Sequence, residues 1–195
     1  THHHRDQGQN LERAVASGAQ VWVPHAEQDL IADVDAHWQA REIYNNYNNR
    51  QDRFSLREPI AIAGALRDYE TRPFAGHAFQ VVPTPGHTTG SITLLAEIDG
   101  RRVAFTGDLI AGPGVVWSLA ATQWSYNGAE GVPATVASLL DLKDRQPDLL
   151  LPSHGIPMDP PDTAIDLLVD RLARLLKARG QNPRLFQLRE KPYEA

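Results

Sequence analysis

The sequence predicts an α/β fold in which short buried strands alternate with helices. Apolar runs of strand length, such as residues 92–98 and 101–107, alternate with segments of helical periodicity. The chain has 195 residues, of which 42% are hydrophobic, which is enough to bury the core of one ordinary domain. Polar residues follow most of the predicted strands, and α/β folds place their functional sites in such loops.

The first half of the chain contains two helical segments and one clear strand. Residues 11–18 predict a short helix that ends at Gly18, and VWVP (21–24) predicts a buried strand. Residues 25–43 have helical spacing of their apolar side chains and run into a polar stretch without a clear period. We interpret the region around 33–75 as an insertion or lid.

The second half contains the strongest strand signals. Residues 92–98 and 101–107 predict two strands joined at Asp99 and Gly100, a dipeptide typical of tight hairpins. The remaining predicted elements are a strand at 79–82, helices at 131–142 and 162–179, and a strand within DLLLPSHG (148–155) that leads into a loop.

Composition excludes several classes of function. The chain has no cysteine, so disulfides, thiolate metal sites and a cysteine nucleophile are excluded. A net charge of −5 does not favour nucleic acid as a partner. No apolar stretch approaches the roughly 20 residues of a membrane-spanning helix. We therefore expect a cytoplasmic protein that acts on a small molecule and uses nitrogen and oxygen ligands for any metal.

The first seven residues, THHHRDQ, have two interpretations. Three consecutive histidines near a terminus are typical of a purification tag. They are also capable of binding metal. The choice depends on whether the rest of the chain carries matching ligands.

Further candidate ligands follow the strand-like runs. His87 lies in PTPGHTTGS, Asp108 in AFTGDLI and His154 in LLPSHG. A single histidine after a strand is usually a surface or capping residue, but the complete set of imidazoles and carboxylates favours one or two sites for a borderline divalent metal. The candidate metal ligands are His2, His4, Asp6, His87, Asp108 and His154. Zinc is the first expectation, with iron and manganese as alternatives.

The order of these motifs resembles the metallo-β-lactamase superfamily of metallohydrolases. H-x-H-x-D, G-H-T-x-G-S, T-G-D and S-H-G follow one another from Thr1 to His154. The resemblance implies that residues 1–195 form one metallo-β-lactamase-like domain with a four-layer αβ/βα sandwich. It also implies that THHHRDQ is the metal motif, because a tag has no reason to be followed by the other three motifs in family order.

The same resemblance implies a role for each candidate ligand. His2, His4 and His87 are expected to hold the first metal, and Asp6 and His154 the second. Asp108 is expected to bridge the two ions. The implied nucleophile is a hydroxide between the metals, which Asp6 orients. His3 is expected to lie outside the ligand set.

Two departures from the family pattern affect these expectations. Gln7 stands where the family usually has a further histidine, so we expect a second metal either to bind less tightly, to be a harder ion or to be absent. The motif also opens the chain, whereas in the family it follows earlier strands. We therefore expect 1–195 to be the larger C-terminal part of the sandwich, lacking its N-terminal strands, with an exposed sheet edge that favours homo-oligomers.

Three functions from different classes are consistent with the sequence. The first is a metal-dependent hydrolase for a small ester, thioester, lactone or amide substrate. The second is a mononuclear iron dioxygenase of the same superfamily, and the third is a binding module on a degenerate scaffold. Aromatic and basic residues near the motifs could line a substrate pocket, namely Trp117, Trp124 and Tyr126 after the Asp108 loop, and Tyr44, Tyr47, Arg50 and Arg53 in the predicted insertion.

Overall fold

The computed structural model describes residues 1–40, 54–118 and 131–178. In chain order the elements are α1 (Arg5–Gly8), α2 (Leu11–Ala16), β1 (Trp22–Pro24), a 3-10 turn (His25–Glu27), α3 (Asp29–Ala32), α4 (Val34–Ala40), β2 (Gly64–Leu66), β3 (Thr71–Phe74), β4 (His77–Pro83), β5 (Ile92–Ile98), β6 (Arg101–Gly107), α5 (Gly131–Asp144), β7 (Leu149–Pro152) and α6 (Asp162–Ala178). The strands predicted within 21–24, 79–82, 92–98, 101–107 and 148–155 are all present, which confirms the predicted α/β class.

The larger sheet has five strands in the order β3-β4-β5-β6-β7. Its neighbours are antiparallel except β6 and β7, which are parallel. The predicted hairpin joins β5 to β6, where Asp99 and Gly100 have φ angles of 51° and 75°. Positive φ at both central residues is the geometry of the tight turn that Asp-Gly favours.

One face of the larger sheet is covered by α5 and α6. Val82, Leu95 and Ala104 of the sheet belong to the same buried cluster as apolar residues of both helices. Helix α6 is amphipathic, with Leu168 buried and Leu167 exposed. None of the described helices is both long and apolar enough to cross a membrane.

The opposite face of the larger sheet packs against a small parallel sheet of β1 and β2. Val81 and Ile92 of the larger sheet form a buried cluster with Leu66 of β2, and Trp22 of β1 packs against it. A further cluster, which includes Val23 of β1, joins the small sheet to the segment of α3 and α4. The described layers are therefore helix, sheet, sheet and helix, which is the four-layer αβ/βα sandwich that the family resemblance predicted.

The structure differs from the sequence interpretation between residues 25 and 75. Within the segment 25–43, for which helical spacing was noted, the described residues 25–40 form a 3-10 turn, α3 and α4 and not one continuous helix, because Asp33 leaves the helical conformation with φ −131°. Strands β2 and β3 were not predicted, and both are short. Strand β3 contains Pro73 and lies at the edge of its sheet, where a missing N–H is tolerated. Residues 41–53 lie outside the described residues, so the insertion or lid around 33–75 stays a prediction.

Candidate metal centre

The direction of the strands brings the sequence motifs to one edge of the larger sheet. Strands β4, β6 and β7 run the same way, so their carboxyl ends meet at that edge. His87 follows β4, Asp108 follows β6 and His154 follows β7. The N-terminal motif reaches the same edge because the Ile92 N–H donates to the Thr1 carbonyl at 3.0 Å.

The first group of candidate ligands consists of three buried imidazoles. One ring nitrogen from each of His2, His4 and His87 lies within 4.8 Å of the other two. His4 Nδ1 and His87 Nε2 are 2.9 Å apart. Three nitrogens at these separations can be ligands of a single ion.

The second group consists of Asp6, Asp108 and His154, whose donor atoms also lie within 4.8 Å of one another. His154 Nε2 is 3.2 Å from Asp6 Oδ2, and His154 Nδ1 is 2.8 Å from Asp108 Oδ1. The other oxygen of Asp108, Oδ2, is 3.3 Å from His87 Nε2. The Asp108 carboxylate therefore lies between the two groups and faces both of them.

Burial keeps the imidazoles of the first group neutral. It lowers the pKa of His2 well below its ordinary value, and the neighbouring histidines lower it further. Burial, with contributions from His3 and His87, lowers the pKa of His4 to about 2. The pKa of His87 is also lowered by burial, although Asp108 opposes that shift. Neutral imidazoles keep a lone pair for a metal ion, as ligands must.

The residues at this centre fit a divalent metal. His2 Nε2 and Asp108 Oδ2 are buried and make no hydrogen bond to any described residue. Buried polar atoms are normally paired, so two unpaired atoms that face each other at 3.6 Å require an explanation. A cation held by both groups would satisfy these atoms, and imidazole and carboxylate ligands suit zinc, iron and manganese.

A cavity of about 260 Å³ opens over the two groups. Trp117 stacks on His154, with ring centroids 4.2 Å apart and planes 7° from parallel. The described lining residues are His4, Asp6, Phe54, His87, Asp108, Trp117, Ser118 and His154. Of the aromatic and basic residues predicted to line a pocket, Trp117 does so, whereas Trp124, Tyr126, Tyr44, Tyr47, Arg50 and Arg53 lie outside the described residues.

The structure brings together all six residues that the sequence singled out, and their roles as ligands stay predictions. Gln7 lies in α1 and is not among the described lining residues of the cavity. Phe54, Ser118 and Glu27 were missed. Glu27 closes the turn directly after β1, so its position beyond a strand end was the one available signal. Phe54 and Ser118 carried no comparable signal.

Residues 1–154 match the metallo-beta-lactamase superfamily, and the chain belongs to this family. The fold, the motif order and the arrangement of the two ligand groups agree with that membership. The family implies a divalent metal, which the two ligand groups could bind.

Solved structures show the same fold. A metallo-beta-lactamase family protein from Thermus thermophilus is 22% identical, with a TM-score of 0.60, over 86% of this chain and 57% of that chain. A metallo-beta-lactamase from Pontibacter korlensis is 15% identical, with a TM-score of 0.59, over 88% of this chain and 66% of that chain. TTHA1623, solved in a di-iron-bound form, is 22% identical, with a TM-score of 0.56, over 86% of this chain and 71% of that chain. The chain thus spans about three fifths of the length of the first two proteins.

Proposed function

We propose that this chain is a metal-dependent hydrolase that acts on a small ester, thioester, lactone or amide substrate, with zinc as its metal. The observation that carries the proposal is the position of Asp108, whose two oxygens face the two ligand groups at 3.3 Å from His87 Nε2 and 2.8 Å from His154 Nδ1. A carboxylate in this position could supply a ligand atom to an ion held by either group.

The residues in and around the cavity would have two roles in hydrolysis, namely to hold metal and to orient water. Divalent metal at this centre would lower the pKa of water and polarise the bond that is cleaved. His2, His4 and His87 would hold the first ion, Asp6 and His154 would hold the second, and Asp108 would contribute to both. Asp6 also lines the cavity, where its carboxylate can accept a hydrogen bond from water and so orient that water.

The size of the cavity supports a small substrate. Its volume of about 260 Å³ is slightly below the usual range for ligand pockets, roughly 300–1,000 Å³. Phe54 and Trp117 supply apolar contact area to a bound group. Among the lining residues described, there is no lysine or arginine to favour an anionic substrate.

The test is hydrolysis by the purified chain after chelation and after reloading with Zn²⁺, on a panel of chromogenic esters, thioesters, lactones and amides. We expect activity that chelation removes and Zn²⁺ restores. Oxygen uptake by an iron-loaded sample, without hydrolysis of any substrate, would favour the iron dioxygenase instead. Metal binding without either activity would favour the binding module.

A further inference from the structure

A buried carboxylate outside the candidate ligand set joins the two loops that carry the first group of histidines. Glu27 is only 2% exposed and lies at the end of the 3-10 turn after β1. Its Oε2 accepts a hydrogen bond of 2.6 Å from the His3 backbone N–H, and its Oε1 accepts one of 3.1 Å from the Gly90 N–H. One side chain therefore contacts both the N-terminal motif and the loop after β4.

Both residues that Glu27 contacts are close in sequence to candidate ligands of the first group. His3 lies between His2 and His4 in the chain, and Gly90 lies three residues beyond His87. His3 also contributes its ring, because His3 Nδ1 is 3.0 Å from Glu27 Oε2. A movement of Glu27 would therefore change the spacing between the motif histidines and His87.

The loop after β4 packs closely against the Glu27 side chain. A Cβ atom at Gly90 would overlap Glu27 Cγ. Gly90, the second glycine of the GHTTGS motif, thus lets the loop approach the Glu27 side chain. A side chain at position 90 would displace either the loop or the carboxylate.

The charge on Glu27 is retained despite its burial. Burial raises the pKa of the Glu27 carboxyl, but His3 and the hydrogen bonds from Thr88 and Gly90 outweigh burial and hold that pKa below its ordinary value. An ionised carboxylate accepts hydrogen bonds at both oxygens, and such charge-assisted bonds are the stronger kind. Both loops are therefore held by the same ionised group.

We propose that Glu27 is a positioning residue that sets the distance between the His2–His4 segment and His87, and so the affinity of the first metal site. The inference rests on the proposed metal centre. Glu27→Gln tests it, because an amide has nearly the same shape but accepts hydrogen bonds through only one atom. Its NH₂ group would face either the His3 N–H or the Gly90 N–H, and that loop would lose its anchor.

The experiment measures Zn²⁺ affinity of the folded chain by competition with a chromophoric chelator, together with the visible spectrum of the Co²⁺-loaded chain. Partners of ligand-bearing groups typically affect metal affinity by about 10- to 100-fold, and we expect a loss in that range for Glu27→Gln, with an altered Co²⁺ spectrum. The control is Leu142→Ala. Leu142 is buried near the C-terminal end of α5. The part of α5 that lies near His87 is seven residues earlier, where Thr135 packs against Gly86. This control should lower the melting temperature and leave the metal affinity unchanged.

Three outcomes would overturn the inference. Glu27→Gln with wild-type affinity and an unchanged Co²⁺ spectrum would overturn the role of Glu27 alone. A loss of affinity in Leu142→Ala that matches its loss of stability would show that any destabilisation has the same effect. Wild-type chain that binds no Zn²⁺ would overturn the metal centre and this inference together.

A second variant covers the case in which Glu27→Gln does not fold. Gly90→Ala keeps the carboxylate but forces the loop and Glu27 apart. We expect a loss of Zn²⁺ affinity in the same direction, with the same change in the Co²⁺ spectrum. Wild-type affinity in a folded Gly90→Ala chain would overturn the inference.

Discussion

At the scale of single residues, Asp108 connects the two ligand groups. Its side chain is buried, and its Oδ2 has no hydrogen-bond partner among the described residues, although His2 and His87 lie close to it. Its Oδ1 faces His154 of the other group. The consequences of its removal therefore test the arrangement as a whole.

We predict that Asp108→Ala abolishes hydrolysis and lowers the bound metal, because it removes a ligand that faces both groups. Elemental analysis after dialysis and turnover of the best ester or lactone substrate are the measurements. Asp170→Ala is the control, since Asp170 is exposed on α6 and pairs only with Arg174 among described residues. Full metal content and wild-type turnover in Asp108→Ala would show that the assignment is wrong.

We expect Trp117 to contact the bound substrate, because it lines the cavity. It is 55% exposed, so its removal leaves no void in the core, and it stacks on His154 at the cavity wall. We predict that Trp117→Ala raises KM about two- to tenfold, which corresponds to the roughly 0.5–1.5 kcal/mol of an aromatic contact. Trp117→Phe keeps a ring and should recover most of the effect. An unchanged KM in Trp117→Ala would mean that substrate does not contact this wall.

At the scale of elements, α6 shows how one helix contributes stability without contributing to the site. Leu168 is 1% exposed in the cluster under α6, whereas its neighbour Leu167 is 41% exposed. None of the described residues that line the metal cavity lies on this helix. The apolar face of α6 covers the larger sheet, so we expect α6 to contribute to the free energy of unfolding through these buried side chains.

We predict that Leu168→Ala lowers the free energy of unfolding by about 2–5 kcal/mol, because it removes buried methyl groups and leaves a cavity. Leu167→Ala, the matched control on the same helix, should change that free energy by less than about 0.5 kcal/mol. Urea unfolding of the metal-free chain measures both values. Equal losses in the two variants would contradict the packing of α6 described above.

At the scale of the whole molecule, the candidate metal centre lies where separate parts of the sandwich meet. The N-terminal motif, the loop after β4 and the ends of β6 and β7 all contribute candidate ligands. A bound ion would therefore cross-link segments that are far apart in the chain. Such an ion should stabilise the folded state as a whole, because the unfolded chain does not hold these groups together.

We predict that Zn²⁺ raises the free energy of unfolding by about 2.7 kcal/mol at a free concentration one hundred times its Kd, as expected when a ligand binds only the folded state. Thermal unfolding of chelated and Zn²⁺-loaded samples measures the shift. His87→Ala removes one imidazole of the first group and should reduce the shift strongly. A shift of equal size in His87→Ala would indicate that Zn²⁺ binds elsewhere.

Local patterns in the sequence were sufficient to predict the α/β class, most of the strands and the six candidate ligands. Short apolar runs predict the strands, Asp99-Gly100 predicts the hairpin, and short polar motifs mark the candidate ligands. Strands β2 and β3 and the break at Asp33 were missed, because short strands and breaks within an apolar period leave weak local signals.

The assembly of the candidate site depends on contacts between segments that are distant in the sequence, and only the tertiary structure shows these contacts. Glu27 contacts the His3 backbone across 24 positions of sequence and the Gly90 backbone across 63. Phe54 and Trp117 likewise reach the cavity from distant segments. Such contacts follow from the packing of one sheet on another and from the shared direction of β4, β6 and β7. Because no short stretch of chain contains both partners, the local pattern cannot specify these contacts.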